Sequence, residues 1–525
     1  MAIEGQMTAG DAARVRLAEL VAALSLATDL GMGQPLEQAL RTCRLAVAAG
    51  RELGLEDPLL ADVYYLALLR FVGCTADAHE QAALVGGDEI AFYAGVAPVV
   101  MGGTPEFLAY LARRFAADTP PLTRLRLVGR VLADGTGGAK RSIAVHCEVA
   151  RLLAARLGLP QSVGAGVGHV FERWDGKGLP GELAGEAIPV PARLVAAARD
   201  VDLFHRLGGW DAAAEVLRRR RATAYDPAIV DVFLARGERW LADAASESAW
   251  EAALAAEPVP WAQVRGDRLD EVLDAFAAFA DLKSPFTRGH SSGVAALAEG
   301  AARHAGLDES TAVALRRAAL VHDLGRAGIP NGIWDKAGPL TRAEWERVRL
   351  HPYYTERVLS HTAALAPLAP IAGAHHERLD GTGYHRGSSA ALLPPAARLL
   401  AAADAYQAMT QERPHRAALP PEVAARQLAA EADGGRLDGD AVRSVLAAAG
   451  HGFGRRRPWP AGLSEREVEV LRLIARGASY KAVAGRLSIS PKTAEHHVGH
   501  IYAKIGVSSR AAAALFAMEH RLLAD

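Results

Sequence analysis

Apolar residues along this chain recur at helical rather than strand spacing. Val294, Leu297 and Ala301 share one face of a helix opened by His290, and Val468, Leu471 and Ile474 share another. Ser464 and Glu467 have capping-box spacing at the start of that second helix, and Gly477 stops it. A short helix over Tyr480–Leu487 comes next, and Ser490-Pro491 opens a third, with Ala494, Val498, Ile501 and Ile505 as a narrow packing stripe. His351-Pro352 begins a helix through Val358 and Leu359, with proline where its missing N–H is harmless. Half the residues are apolar, while aromatic residues make up 6% and β-branched ones are scarce, so the expected fold class is all-α.

At 525 residues the chain exceeds one ordinary core. Composition suggests a helical block over 1–235, a Trp- and Pro-marked linker over 236–268, a polar-studded helical block over 269–449, a basic Gly/Pro hinge over 450–462 and a small terminal domain over 463–525. The first block looks like a second copy of the third. Glu172 to Leu179 matches Glu377 to Tyr384, and Pro191 to Leu194 matches Pro395 to Leu399 with one residue of slack. The halves of the first copy stand 47 residues further apart, which points to an insertion around 86–104.

Candidate chemistry sits in the third block. His322-Asp323 ends the apolar run 318–321, Asp404 follows the run 399–403, and His375-His376 closes the segment 370–374 before a Gly-rich turn. Burying such groups without partners costs several kcal/mol, roughly 2–7 for a neutral polar group. With His290 and His351 they make seven nitrogen and oxygen ligands, a set suited to iron, manganese or zinc, with Asp323 placed to bridge two ions and His322 to bind one. On one helix the two adjacent side chains point about 100° apart. The first copy has Gln38, Arg70, Phe71, Val170, Phe171 and Arg199 at these positions and keeps only His146, opposite His351, so it is expected to be metal-free.

His322-Asp323-Leu324-Gly325, the run from His375 to Tyr384, and Ala403-Asp404-Ala405-Tyr406 followed by Arg413-Pro414-His415-Arg416 resemble the HD-GYP group of the HD phosphohydrolases. The resemblance implies tandem HD-type helical domains, two divalent ions of iron or manganese, and hydrolysis of cyclic di-GMP or a related cyclic or nucleotide phosphoester by a metal-bridging hydroxide. It places His290, His322, Asp323 and Asp404 on one ion and His351, His375, His376 and Asp323 on the other. Asp323 and Arg326 become the catalytic pair, and Arg326, Asp380, Gly381, Gly383, Tyr384, Arg413 and Arg416 the substrate contacts. Three residues depart from the pattern: Arg326 for the usual lysine, His385 for the proline after Gly-Tyr, and Phe286 where a third ion's glutamate would stand.

Net charge is -1, yet from Arg455 onward twelve Lys/Arg stand against six Asp/Glu. Outside the apolar stripe, the last long helix presents Lys492, Thr493, His496, His497, His500 and Lys504. Residues 463–510 resemble the four-helix LuxR-type helix-turn-helix domain. That implies double-stranded DNA as partner, a homodimer, and Lys481 and Ser490 as further DNA contacts. The three cysteines form no Cys-x-x-Cys pair, and no run of about 20 apolar residues occurs, which points to a cytoplasmic protein without membrane contact. The expected function is a transcriptional regulator with a metal-dependent phosphodiesterase. The rival reading is a catalytically silent transcription factor whose HD-type domain only senses metal or ligand.

Overall fold

The computed structural model describes residues 14–244, 247–451, 459–520 and 522. Its described elements are helices, apart from one two-stranded pair, Val15–Arg16 against Gln263–Val264. The chain divides into two compact units, 1–451 and 452–525. The central residues of the expected hinge, 452–458, lie outside the described ones.

In the first unit both copies follow one plan. The helices Leu17–Gly31, Gln38–Glu52 and Asp57–Leu69 correspond to Gly266–Asp281, His290–His304 and Glu309–Val321. Backbone packing repeats down to single glycines. A Cβ added at Gly73 would collide with the carbonyl oxygen of His146, and one at Gly325 with that of His351. Glu172 accepts the backbone N–H groups of Gly181, Glu182 and Leu183, and Glu377 those of Arg386 and Ser388, so each copy folds its Gly-rich loop around a buried carboxylate.

One core runs through both copies. The helix Leu17–Gly31 is buried on almost every face, as its nearly continuous Leu, Ala and Val content requires. Its Leu30 packs against Gly328, and Gly31 lies beside Ala327, which puts the first copy directly behind the turn that follows Asp323. Residues 236–268, expected as a linker, are part of this body. They carry the end of the helix Pro227–Ala244, the helix Ala249–Ala256 and the strand Gln263–Val264, and Glu257 is gripped by Arg16 and by Tyr65 at 2.8 Å. Local composition could not show this, because the partners lie about two hundred positions away.

The insertion is larger than its expected bounds. The helices Glu89–Val96 and Thr104–Arg113 and the start of Pro121–Arg156 enclose a small core of Val85, Tyr110, Leu111, Phe115, Leu127 and Val131. The positions of the first copy that align with the seven ligands are filled from within. The Arg70 guanidinium lies between the rings of Phe71 and Phe171, 5.2 Å from each, Arg199 pairs with Asp200, and His146 bonds to Asp77. Fixed cationic side chains there leave no place for a divalent pair.

The second unit is a small bundle around Val468, Leu471, Ile474, Val483, Ala494, Val498 and Ile501. Ser464 and Glu467 form the capping box, and Ser490 caps Pro491–Ile505 by accepting the N–H of Thr493 at 3.0 Å. Among the described residues no helix is long and apolar enough to cross a membrane.

Candidate metal centre and nucleic-acid interface

Each of the seven ligand-type side chains is placed by a helix end or a turn. His290 opens His290–His304, anchored by Asp281, which accepts the N–H (3.0 Å) and hydroxyl (2.7 Å) of Ser291. His351 opens His351–Leu359, and Asp404 lies inside Pro395–Thr410. His322 and Asp323 differ from expectation: the helix ends at Val321, and Asp323 starts a tight turn, Leu324–Gly328, rather than continuing the helix. Thr355 stitches this turn to the neighbouring helix, donating to His322 O at 2.8 Å and accepting from Gly325 N at 2.9 Å.

The seven converge. His290, His322 and Asp404 form one group and His351, His375 and His376 another, each with ligand atoms within 4.8 Å of one another. Asp323 faces both: Oδ2 lies 3.6 Å from His322 Nε2 and 3.9 Å from His290 Nε2, while Oδ1 lies 3.5 Å from both His351 Nε2 and His375 Nε2.

Proton positions follow from the partners outside the cluster. His322, His351 and His375 donate Nδ1–H to the carbonyls of Ala319, Val348 and Ala372 at 2.6–2.7 Å, and His290 donates to Gln411 Oε1 at 2.8 Å. A carbonyl only accepts, so in each ring Nδ1 carries a proton and Nε2 is the atom turned inward, the arrangement of metal-binding histidines. The Nε2 atoms of His351 and His375 stand 3.1 Å apart, and buried His322 Nε2 has no hydrogen-bond partner among the described residues. Facing lone pairs repel unless a cation lies against them, so the donor set fits divalent ions.

Charge agrees. Burial favours protonated carboxyls, yet the surrounding imidazoles, with Arg326 beside Asp323, hold Asp323 and Asp404 well below the usual range. Burial pushes His351 down to about 3 and His376 well below its ordinary value. At His322 burial is outweighed by Asp323 and Asp404, which lift it to about 9. Burial keeps His351 and His376 neutral, and the two carboxylates attract positive charge, a proton at His322 or a divalent ion in its place.

At its mouth, Arg326 reaches Asp323 Oδ2 at 3.3 Å and stacks on Trp334 at 3.8 Å. Arg413 donates to Phe286 O at 3.1 Å, and burial, then the Arg326 charge, pulls it down to about 10, still protonated at neutral pH. Gly381 takes a positive φ of 76°, and Gly383 packs too tightly on Glu377 and Arg378 to carry a side chain, which lets Tyr384 lie 4.7 Å from the His376 ring. Asp380 and Arg416 do not join this group. Asp380 is exposed and accepts from Thr382, and Arg416 donates to the carbonyls of Ala408, Met409, Gln411 and Ala417 at a helix end. Sequence reasoning missed Trp334, Thr355 and Gln411. Only Gln411 left a signal, two helical turns beyond Asp404. Gln411→Ala is expected to weaken metal binding by about 10- to 100-fold while the fold is retained, as read by metal titration and circular dichroism.

In the second unit Lys481, Ser490, Lys492, Thr493, His496 and His500 are exposed, and His497 is half-buried. Lys504 is engaged, its Nζ 2.7 Å from Glu467 Oε2 and 3.2 Å from Gly462 O, so it fastens the helix rather than standing free for a phosphate.

Residues 139–229 and 274–441 match the HD domain family, and residues 461–517 match the bacterial regulatory proteins of the luxR family. The 3'3'-cGAMP-specific phosphodiesterase 3 of Vibrio cholerae is 32% identical over 77% of this chain and 88% of its own length. The chain belongs to the HD-GYP phosphodiesterases. A cyclic di-GMP phosphodiesterase of Thermotoga maritima is 35% identical over 31% of this HD-GYP chain and 45% of its own. A crystal structure of a cyclic GMP-AMP specific phosphodiesterase of V. cholerae superposes with a TM-score of 0.58 at 27% identity, covering 83% of this chain and 98% of that one. Like other members of the HD-GYP family, the chain is a metal-dependent phosphodiesterase, with a LuxR-type domain at its other end.

Proposed function

We propose that this chain hydrolyses a cyclic dinucleotide, cyclic di-GMP or 3'3'-cGAMP, at a two-metal centre of iron or manganese, and that it binds double-stranded DNA as a homodimer to regulate transcription. The observation that carries the catalytic half is Asp323, whose two oxygens turn to separate sets of imidazole nitrogens. His290, His322 and Asp404 would hold one ion and His351, His375 and His376 the other. When bound, two such ions supply the Lewis acidity that activates water and draws charge from a phosphodiester. The chain's own part is orientation. Arg326 and Arg413 offer guanidinium N–H groups to phosphate oxygens, with Arg326 held flat by Trp334. Burial raises the Tyr384 phenol, so it remains a donor at the site's edge. The relatives named for cyclic dinucleotides support that substrate class.

Metal analysis of the purified chain with chromatography of cyclic di-GMP and 3'3'-cGAMP in added Mn(II) or Fe(II) tests this half. About two ions and a linear product are expected. Two ions with neither substrate cleaved would overturn it and favour the silent sensor. For the DNA half, Lys492→Ala is expected to lower affinity across sequences and to reduce the log–log salt slope by about 0.9. An unchanged slope argues against a phosphate contact there.

A further inference from the structure

The insertion of the first copy has no part in the chemistry above, yet it reaches the mouth of the metal centre. It meets two segments of the second copy: residues 283–287, which lead into His290, and Asn331–Trp334, which follow the turn bearing Arg326. The junction is built from buried polar contacts. Glu89, fully buried, accepts from Lys283 Nζ at 2.9 Å and from the N–H of Asn331 at 3.1 Å. Gly332 donates its N–H to Gly87 O at 2.9 Å, and a Cβ on Gly332 would collide with Gly87.

From this junction His79 reaches Asp335, with Nδ1 2.7 Å from Oδ2. Asp335 is fixed in turn by the hydroxyl of Ser284 at 2.6 Å and by Asn331 Nδ2 at 3.1 Å. The His79 ring lies edge-on to Phe286, 6.5 Å between centroids, and its side chain is 42% exposed. Both segments that hold it continue to the metal centre. The carbonyl of Phe286 is bonded by Arg413, whose Nη2 is 3.4 Å from His290 Nδ1, while Trp334 stacks on Arg326 and lies 5.3 Å from the His351 ring. A carboxylate partner accepts the Nδ1 proton, leaving Nε2 as the ring's other hydrogen-bonding atom.

We propose that His79, contributed by the metal-free copy, is a specificity-determining residue of the catalytic site. It pairs with Phe286 to receive a nucleobase of the cyclic dinucleotide. The inference rests on the substrate reading above. A cyclic dinucleotide carries two phosphates and two bases on one ring, so with one phosphate at the ligand cluster a base must extend outward along the wall. An aromatic face beside a hydrogen-bonding edge suits a base.

The test compares the full-length chain with His79→Ala and His79→Asn on cyclic di-GMP, 3'3'-cGAMP and bis(p-nitrophenyl) phosphate, a diester that carries no nucleobase. Expected for His79→Ala is a KM for the cleaved cyclic dinucleotide raised about tenfold, with kcat within about twofold of the parent. Metal content and the rate on the small diester should be retained, and His79→Asn should restore part of the affinity. An unchanged KM overturns the proposal alone. So does a parallel fall of kcat, metal content and small-diester turnover, which marks a purely structural role. A parent chain that cleaves the small diester and neither cyclic dinucleotide overturns the substrate reading, and this proposal with it.

Discussion

Asp323→Asn is expected to abolish metal-dependent hydrolysis and reduce bound metal, with DNA binding by the second unit unaffected. Oδ1 and Oδ2 of Asp323 each lie 3.5–3.9 Å from two inward-pointing imidazole nitrogens. An amide has one oxygen, so one of the two ligand sets meets an N–H₂ group that repels a cation. The substitution also removes a buried charge from a network containing Arg326 and Asp404. Breaking such a network costs about 3–5 kcal/mol of folding stability. Elemental analysis, turnover and a DNA shift assay on one preparation decide it, and wild-type turnover by the variant would sink the site assignment.

The second large effect concerns two glycines. Gly325→Ala is expected to destabilise the first unit by more than about 4 kcal/mol, because its Cβ would press into a backbone oxygen, His351 O, that cannot rotate away. Gly73→Ala should do comparable damage through His146 O. The pair is informative in what differs. Gly325→Ala displaces the turn carrying Asp323 and should lose metal along with stability, whereas Gly73→Ala strikes a copy whose ligand positions hold Arg70 and Arg199. Urea unfolding read beside metal content separates the two, and a glycine variant of either kind with wild-type stability would contradict the repeat packing.

Which parts were legible in sequence follows from range of interaction. The metal ligands stood out because histidine and aspartate inside apolar runs at 318–323 and 399–404 demand a partner whatever the fold. Helix starts at Ser464, Ser490 and His351 were readable because their signals span a few residues. The helix end at Val321 was not: nothing local forbids one more turn, and the break is imposed by Thr355, thirty-odd positions away, bonding Gly325 and His322. Arg416 and Lys504 look like free cations in sequence, and only the fold supplies the carbonyls and carboxylate that occupy them. The role of 236–268 was hidden for the same reason.

The single core shared by the two copies bears on how this protein can be recombined. A chimaera spliced at the compositional boundary near residue 268 would split that continuous core and bare the face of the helix Leu17–Gly31 that meets Ala327 and Gly328. The transferable cassette is therefore 1–451 taken whole, with the splice placed beyond His451, and a catalytic half expressed by itself is expected to be an aggregating fragment rather than a minimal enzyme.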